Sequence, residues 1–496
     1  MRRRDWLIGA GATAAGAAVP GVLAGVARAA DRGAAAVEAV DVAIVGGGLA
    51  GLNAAMVLND AGAKVVVLEG DNRAGGRVRT ADDIPLHPDL GGVQIGPMYA
   101  RVRDVARRLG IKLEPGAHVN APYSYVLEGQ LIAPKQWADS PLNRLVGAER
   151  RIPPQAVNAF YVEQRSPFSS LEDWLEPEAA RYDISLAQWL DQQQASDEAK
   201  RLVSLSNGGT PLAELSLLRA LQEATRSKVD VQRVSQDPGM QGKDVFERFA
   251  LASSHVPGGT SRLVEAIVAS LGDRVRLGAR VRAIHMDRDG AELRCANGSK
   301  LRARYVVSAV PFSVLREIDI TPALRGDQAD AVKRMPYHNQ SQVWLRAKKP
   351  YWEEDGIEAS MWSDGPFTLI RQQIEHDGTR ELMSVLAFGP NSRRLDKLPP
   401  AERGRIALDY IHKVRPSTVG RLELVGTHSW ELVPTIRGCS HQFVPGRGVA
   451  WSRAMALPHE RLHFAGEHVR RLEVGMESAM ETGERAALQI LEKLSA

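Results

Sequence analysis

The chain has 496 residues, of which 44% are hydrophobic and 25% are charged, and its net charge at pH 7 is +4. These values are typical of a globular protein with a large core and room for two or three domains. The charge is weak and forms no dense basic stripe interleaved with aromatic residues, so the sequence argues against nucleic acid as a partner.

Residues 1–29 have the pattern of an export signal. Arg3 and Arg4 form a twin-arginine pair, a weakly apolar stretch covers 8–26, and an Ala-x-Ala cleavage site ends at Ala29. The alternative is a membrane anchor, but the stretch is too rich in Gly and Ala to form a stable membrane span. Because twin-arginine export carries folded proteins, we expect a periplasmic or secreted protein that acquires any cofactor before export.

A strand, a glycine-rich turn and a helix open the first predicted domain. Residues 42–45 are an apolar run typical of a buried strand, and the turn after them has the G-x-G-x-x-G spacing. Its glycines allow a tight turn, a close approach of backbone to a pyrophosphate, and close packing of helix on strand; they are Gly46, Gly48 and Gly51. The helix predicted over 49–59 directs its first N–H groups at that pyrophosphate.

A second strand and two further loops extend this nucleotide-binding pattern. The apolar run 65–68 ends at Glu69, at the distance expected for a carboxylate that binds a ribose hydroxyl. The glycine-rich turn that follows carries two guanidinium groups, which we interpret as a phosphate clamp; its residues include Arg73, Gly76 and Arg77. The loop 90–97, which contains Gly92, predicts another close approach of backbone to the ligand.

The nucleotide-binding pattern is interrupted twice along the chain. Residues from about 110 to 245 become polar and Pro-rich, with helical patterns at 186–194 and 212–224, whereas residues 338–425 alternate short strands with turns. We therefore predict an α/β fold: a discontinuous Rossmann-type dinucleotide-binding domain with an inserted α+β substrate-binding domain. The first is predicted over 38–97, 246–335 and 426–496, and the second over 98–245, with a helical insertion, and 336–425.

This arrangement resembles the flavin-containing amine oxidase family, which includes monoamine oxidases, polyamine oxidases and L-amino-acid oxidases. The resemblance covers residues 38–496 and rests on motifs at 46–51, 69–77, 90–97, 257–259, 306–311, 430, 464–467 and 475–487. It implies a Rossmann-type FAD-binding domain and an enzyme that oxidises an amine to an imine by hydride transfer to flavin N5. A single dinucleotide fingerprint leaves no second site for NADPH, which favours an oxidase or dehydrogenase over a monooxygenase.

The resemblance also implies which residues hold FAD. Val281 is expected to contact the adenine edge through its backbone. The helix that starts at Gly475 is expected to stabilise the electron-rich flavin N1–C2=O through its dipole. The complete implied set is Gly46, Gly48, Gly51, Glu69, Arg73, Gly76, Arg77, Gly92, Val281, Gly466, Glu467 and Met476.

The reacting end, meaning the part of the site where the amine is expected to meet the flavin, departs from the family pattern. Trp430 nevertheless matches the flavin-facing tryptophan of the family. Ser440 and Gly475 stand where monoamine oxidases have two caging aromatic rings, so we expect a wide site for a bulky or secondary amine. Tyr99 replaces the arginine that binds the carboxylate of α-amino acids in L-amino-acid oxidases. Gln342 replaces a lysine linked to oxygen reactivity, so we expect oxygen to react slowly and a periplasmic redox protein or quinone to do better.

Cys439 raises the question of a covalent flavin. It follows Trp430 by nine positions, the spacing at which monoamine oxidases have a cysteine joined to the flavin 8α-methyl. The alternative is a free thiol packed near the ring, which needs no special role. A covalent bond requires a thiolate to form locally, and the sequence leaves both interpretations open.

Three functions remain open from the sequence. The first is an exported FAD-dependent amine oxidase or dehydrogenase, the second an L-amino-acid oxidase with an atypical carboxylate anchor, and the third an inactive flavin-fold protein with a binding or maturation role. Hydride transfer from a neutral amine requires no metal and no Ser/His/Asp triad, and we predict no metal site. The expected partners are a small-molecule amine and either oxygen or a periplasmic electron acceptor, and the protein is a candidate homodimer.

Overall fold

Two large β-sheets organise residues 38–116, 123–243, 245–374 and 378–495, the part of the chain that the structure, a computed structural model, describes. The predicted export signal lies outside these residues. The strands are β1 (Glu38–Val45), β2 (Val65–Leu68), β3 (Arg79–Thr80), β4 (Asp89–Gly91), β5 (Glu114–Pro115), β6 (Ser124–Leu127), β7 (Gln130–Ile132), β8 (Ser254–His255), β9 (Val275–Arg276), β10 (Val281–Asp287), β11 (Gly290–Cys295), β12 (Lys300–Ser308), β13 (Asp319–Thr321), β14 (Tyr337–His338), β15 (Gln340–Ala347), β16 (Met361–Ser363), β17 (Leu369–Gln372), β18 (Leu382–Phe388), β19 (Leu422–Ser429), β20 (Ser440–His441) and β21 (Leu462–Phe464).

Helices cover both faces of the first sheet and fill the region between residues 154 and 253. They are α1 (Leu49–Asp60), α2 (Ala100–Arg108), α3 (Val157–Val162), α4 (Leu186–Gln192), α5 (Asp197–Ser206), α6 (Leu217–Ser235), α7 (Val245–Ala252), α8 (Ser261–Leu271), α9 (Phe312–Leu315), α10 (Gly326–Arg334), α11 (Tyr351–Asp355), α12 (Gly389–Leu395), α13 (Pro400–Val414), α14 (Gly448–Met455) and α15 (Gly475–Ser495). Within the described ranges, none of the helices combines the length and the apolar character needed to cross a membrane.

The first sheet has a parallel centre, as the predicted Rossmann-type domain requires. Its strand order is β13-β10-β11-β12-β1-β2-β9, and β21 also pairs with β12. β1 lies parallel to both β2 and β12. Its apolar residues are buried because α1, α8 and α15 pack on one face and α9, α10 and α14 on the other. The predicted α/β fold is confirmed.

The second sheet is mostly antiparallel and has two different faces. Its order is β19-β15-β18-β17-β16-β6-β7. One face is apolar and packs against α13, with Val343, Ile370 and Val385 in its core. Residues between these positions point to the opposite face, since side chains alternate along a strand. That opposite face borders the candidate site.

Local details differ from the sequence expectations, and the division into domains stays a prediction. Region 98–245 is not only helical, because its strands β6 and β7 join the second sheet. Strand β19 runs through the predicted boundary at 425/426. The helix expected over 212–224 begins instead at Leu217, because the Ser216 side chain accepts the N–H of Arg219 and caps it there.

Candidate functional site

One cavity of about 480 Å³ brings together residues from both sheets and from the helical region. Every predicted site residue except Gly51 lines it. The cofactor set contributes Gly46, Gly48, Glu69, Arg73, Gly76, Arg77, Gly92, Val281, Cys439, Gly466, Glu467 and Met476. The set expected at the reacting end contributes Tyr99, Gln342, Trp430, Ser440 and Gly475. These residues therefore all line the same cavity, while their individual roles stay predictions.

The first glycine turn leaves its backbone open to the cavity. Gly46 has a φ of 103°, and a Cβ there would lie 2.9 Å from Cγ1 of Val310. Gly48 precedes α1 without a side-chain capping hydrogen bond, and no atom lies within 4 Å of the place a Cβ would take. Gly51 faces away, where a Cβ would be 2.0 Å from the carbonyl oxygen of Gly46. The first two positions expose the helix N-terminus to a ligand, and the third permits close packing.

The second glycine loop is tied to the first. The N–H of Gly75 donates to the carbonyl oxygen of Gly47 at 2.7 Å. The Arg73 guanidinium donates to three carbonyl oxygens within residues 74–78, at 2.5 to 3.3 Å. Arg73 therefore stabilises the conformation of this loop. This role is additional to the phosphate clamp predicted from the sequence.

Glu69 is a buried carboxylate held by backbone amides. Its two oxygens accept hydrogen bonds from the N–H of Gly47, at 2.6 Å, and of Asp71, at 2.8 Å. Burial raises the pKa of Glu69, and these two hydrogen bonds oppose the rise. The side chain is thus fixed at the end of β2 beside the glycine turn, where a ribose-binding acid was predicted.

A buried ionic cluster lies beside Cys439. The Glu467 carboxylate contacts Arg77 at 3.1 Å and Nδ1 of His441 at 2.8 Å, and Arg219 lies 4.0 Å away. Burial lowers the pKa of His441 to about 4, so the neutral ring donates Nδ1–H to Glu467. Although burial alone would raise it, the pKa of Glu467 is held well below its usual range by this hydrogen bond and the two guanidinium charges.

The helical insertion supplies two cavity residues that the sequence interpretation missed. Arg219 and Glu223 lie one turn apart on α6, form an ion pair and line the cavity. Partial desolvation in the cavity raises the pKa of Glu223, but the positive charges of Arg219 and Arg470 outweigh this effect and lower the pKa overall. The i,i+4 spacing was visible in the sequence, yet such pairs usually lie on solvated helix faces.

At the reacting end, Leu90 connects the cofactor loop to the second sheet. Its carbonyl oxygen accepts hydrogen bonds from Nε2 of Gln342, at 2.9 Å, and from Nε1 of Trp430, at 3.3 Å. Oε1 of Gln342 in turn accepts the indole N–H of Trp344 at 3.1 Å. Gln342 is therefore a fixed, neutral side chain at the position where the sequence resemblance implies that a lysine is usual.

Tyr99 fills part of the space that Gly475 leaves open. A Cβ at Gly475 would lie 2.7 Å from the Tyr99 hydroxyl oxygen. Burial raises the pKa of Tyr99, so the hydroxyl stays protonated at neutral pH. The cavity is thus narrower beside Gly475 than the absence of an aromatic ring there suggested, while half-buried Ser440 leaves the other cage position small.

Cys439 is a free thiol that lines the cavity. Its Sγ donates to Oε1 of Gln340 at 3.0 Å, and its carbonyl oxygen accepts a hydrogen bond from Arg77 at 2.7 Å. Burial raises the pKa of the thiol to about 11. The protein alone therefore favours the thiol over the thiolate that a covalent bond requires.

The cavity residues fit FAD. The glycine backbone at Gly46 and Gly48, the open N-terminus of α1 and the buried carboxylate of Glu69 suit a pyrophosphate and a ribose. Arg77 adds a guanidinium near Cys439 and Glu467, two of the residues predicted to hold the cofactor. When bound there, FAD supplies a hydride acceptor.

Comparison with a family model and with known sequences also indicates a flavoprotein. Residues 49–491 match the model of the family described as flavin containing amine oxidoreductase. The chain is 27% identical to the human flavin-containing amine oxidase B over 91% of its own length and 86% of that protein. It is also 27% identical to an L-amino-acid oxidase of Siganus canaliculatus, over 90% of this chain and 85% of that one.

Solved structures share the fold. The cyclohexylamine oxidase from Brevibacterium oxydans superposes with a TM-score of 0.74 at 24% identity, over 92% of this chain and all of that one. Putrescine oxidase bound to putrescine superposes with a TM-score of 0.72 at 21% identity, over 92% of this chain and 99% of that one. At these identities the superpositions show the fold alone.

Proposed function

Since the chain belongs to the family of flavin-containing amine oxidoreductases, we propose that this FAD-dependent enzyme oxidises a bulky or secondary amine to an imine outside the cytoplasm. The family resemblance inferred from the sequence is confirmed. The finer proposal is carried by one observation: the cavity joins a cradle that fits FAD to a pocket that stays open at Ser440, although Tyr99 fills part of the space beside Gly475.

The protein's task in this reaction is to hold a neutral amine and exclude water. FAD held by Glu69 and the glycine turn at Gly46 and Gly48 would supply the hydride acceptor for this oxidation. The buried indole of Trp430, fixed through Leu90, supplies a rigid apolar wall that restricts the orientation of the amine.

For the electron acceptor, we propose a periplasmic redox protein or quinone, with oxygen as a slow oxidant. Gln342 supports this proposal because its amide is neutral and both of its ends are hydrogen-bonded, to Leu90 and to Trp344. It cannot supply the positive charge that would stabilise the anion formed when oxygen accepts an electron.

Export through the twin-arginine route is part of the proposal. It is supported by Arg3 and Arg4 and by the cleavage site at Ala29. Cell fractionation in a bacterium with twin-arginine transport tests it, with a double Arg3→Lys, Arg4→Lys variant as the control. We expect the mature chain in the periplasm for wild type and the uncleaved chain in the cytoplasm for the variant. Equal cytoplasmic retention of both proteins would contradict export.

The substrate class is tested by anaerobic bleaching of the visible flavin band. The FAD-loaded mature protein is mixed with benzylamine, N-methylbenzylamine, a bulky cyclic amine and a set of L-amino acids. We expect the secondary or bulky amine to reduce the flavin fastest. Fastest reduction by benzylamine contradicts the proposed preference, and fastest reduction by an L-amino acid favours the amino-acid oxidase alternative. The same panel tests the inactive alternative, which predicts no reduction.

A further inference from the structure

The cavity face of the second sheet carries a guanidinium that no carboxylate of the described ranges contacts. Arg371 lies on β17 and lines the cavity. Among the described residues, none forms an ion pair or a hydrogen bond with its side chain, and its Nε is buried without a partner. A partly buried guanidinium in this state is costly unless a ligand supplies the missing acceptor. An anion inside the cavity would supply the acceptor that the Arg371 side chain lacks.

The sheet register places Arg371 on the same face as the residues of the reacting end. Arg371 lies opposite Ser384 on β18, and Ser384 lies opposite Trp344 on β15. Directly opposed residues of antiparallel strands share a face. Gln342 belongs to the next pair along this face, so standard strand spacings put its Cα roughly 12 Å from that of Arg371. A small substrate near Gln342 and a long arginine side chain together cover this distance.

Two of the cavity carboxylates are already paired with arginines. Glu223 pairs with Arg219, and Glu467 contacts both Arg77 and Arg219. Arg371 therefore adds a positive charge that has no ion-pair partner in the part of the chain that the structure describes. A second ammonium group on the substrate would be repelled here, whereas an anionic group would be attracted.

We propose that Arg371 binds a carboxylate of the substrate, so that the enzyme oxidises an amine that also carries a carboxylate. The proposal rests on the proposed amine oxidation and specifies its substrate. A guanidinium presents two parallel N–H donors that match a carboxylate, and a low-dielectric cavity strengthens the pair. Tyr99 stands where L-amino-acid oxidases have their carboxylate-binding arginine, and Arg371 supplies an anchor from a different element, the second sheet.

The first test measures binding without turnover. FAD-loaded wild type, Arg371→Gln and Arg371→Lys are titrated with benzoate and with its neutral match benzamide, and the shift of the flavin band is recorded. We expect wild type to bind benzoate at least about tenfold more tightly than benzamide. Arg371→Gln should bind both alike, with Arg371→Lys intermediate. An unchanged benzoate preference in Arg371→Gln overturns the proposal.

A matched control excludes a general charge effect. Arg346 lies on β15, pairs with Glu381 and does not line the cavity. Arg346→Gln removes the same charge from the same sheet, and we expect it to keep the benzoate preference. The flavin-to-protein absorbance ratio checks that every variant holds the same FAD. If Arg346→Gln loses the preference as fully as Arg371→Gln does, the effect is not specific to Arg371 and the proposal fails.

The second test uses substrates and separates this proposal from the amine oxidation it rests on. Anaerobic flavin reduction is compared for two series of secondary ω-amino carboxylates, N-methyl and N-benzyl, and for secondary alkylamines of the same chain length. We expect one carboxylate series to have a kcat/KM at least about tenfold above its alkylamine match, mainly through KM, and to lose this in Arg371→Gln. Reduction by amines without a carboxylate advantage overturns the Arg371 proposal and leaves amine oxidation standing. No reduction by any compound, with benzoate binding still dependent on Arg371, overturns the oxidation and leaves the anion site standing.

Discussion

The hydroxyl oxygen of Tyr99 lies 2.7 Å from the position that a Cβ atom on Gly475 would take. Gly475 also has a φ of 60°, a left-handed conformation that costs a residue with a side chain about 1–2 kcal/mol. Any larger residue at this position therefore meets two penalties, one from its own backbone and one from Tyr99.

We predict that these two penalties can be separated by a double-mutant cycle. Gly475→Ala should lower the free energy of unfolding of the FAD-loaded protein by about 2 kcal/mol or more. Tyr99→Phe should restore about 0.5–1 kcal/mol of this loss, because it removes the hydroxyl but not the backbone strain. Denaturant unfolding measures all four proteins. Additive effects of the two substitutions would contradict a contact between them.

Glu69 should control FAD retention. Glu69→Ala removes the expected ribose contact and leaves the N–H groups of Gly47 and Asp71 without their acceptor. We predict a rise in the FAD dissociation constant of roughly 10- to 150-fold, equivalent to about 1.5–3 kcal/mol for charge-assisted hydrogen bonds. Flavin fluorescence on dilution measures it. Glu69→Gln keeps one acceptor oxygen and should have a smaller effect, so equal losses would contradict this explanation.

We expect Cys439 to form no bond with the flavin at neutral pH. Protein reconstituted with FAD at pH 7 should therefore release its flavin on acid precipitation. Burial raises the pKa of the thiol to about 11, so the thiolate that would attack the flavin is scarce. Reconstitution at pH 9.5 instead of 7 raises the thiolate fraction roughly 300-fold and should increase any flavin retained in the pellet. Cys439→Ala is the control at both pH values. Flavin that stays with wild type at pH 7, but not with Cys439→Ala, would establish the covalent bond.

Replacing Gln342 should alter the reaction with oxygen. Gln342→Lys places a cation on the cavity face of β15, where the wild-type amide is neutral and fixed by Leu90. We predict that the reduced flavin of this variant reoxidises in air at least about tenfold faster, measured by stopped flow. Gln373→Lys adds the same charge at another cavity position and serves as the control. Wild-type flavin that reoxidises as fast as substrate reduces it would refute the slow-oxygen proposal.

Glu473 should make stability depend on pH. Burial raises its pKa from 4.5 to about 7, despite Arg226 at 2.9 Å. The folded state therefore binds the proton of Glu473 more tightly than the unfolded state does. The resulting stabilisation of the folded state is complete below pH 4.5 and is lost as pH rises towards 7. Its side chain is 16% exposed, so after allowance for solvent screening we expect a change on the order of 1 kcal/mol.

The Glu473 prediction is tested by the difference in unfolding midpoint between wild type and Glu473→Gln. Wild type should lose stability relative to this variant between pH 4.5 and 7.5. Glu492→Gln removes an exposed carboxylate from the same C-terminal region and should run parallel to wild type. A pH-independent difference between wild type and Glu473→Gln would contradict the raised pKa.

The sequence by itself determined the nucleotide-binding half of the cavity. The spacing of Gly46, Gly48 and Gly51, the apolar runs of β1 and β2 and the acid at Glu69 all lie within about one βαβ unit. Their geometry follows from local rules, because backbone conformation and strand or helix periodicity depend on near neighbours in the chain. The resemblance then located the reacting end at Trp430, Gln342, Tyr99, Ser440 and Gly475, and the structure brings these together.

Only the tertiary structure decided the electrostatics of that end. Arg77 meets Glu467 across 390 positions of sequence, and Gln342 meets Leu90 across 252. Whether Arg371 faces the cavity or the core depends on strand register, and a shift of one residue would turn its side chain to the opposite face. Helix pairs such as Arg219 and Glu223 likewise look the same in sequence whether they face open solvent or a cavity. These contacts arise from packing between distant segments, which local patterns do not encode.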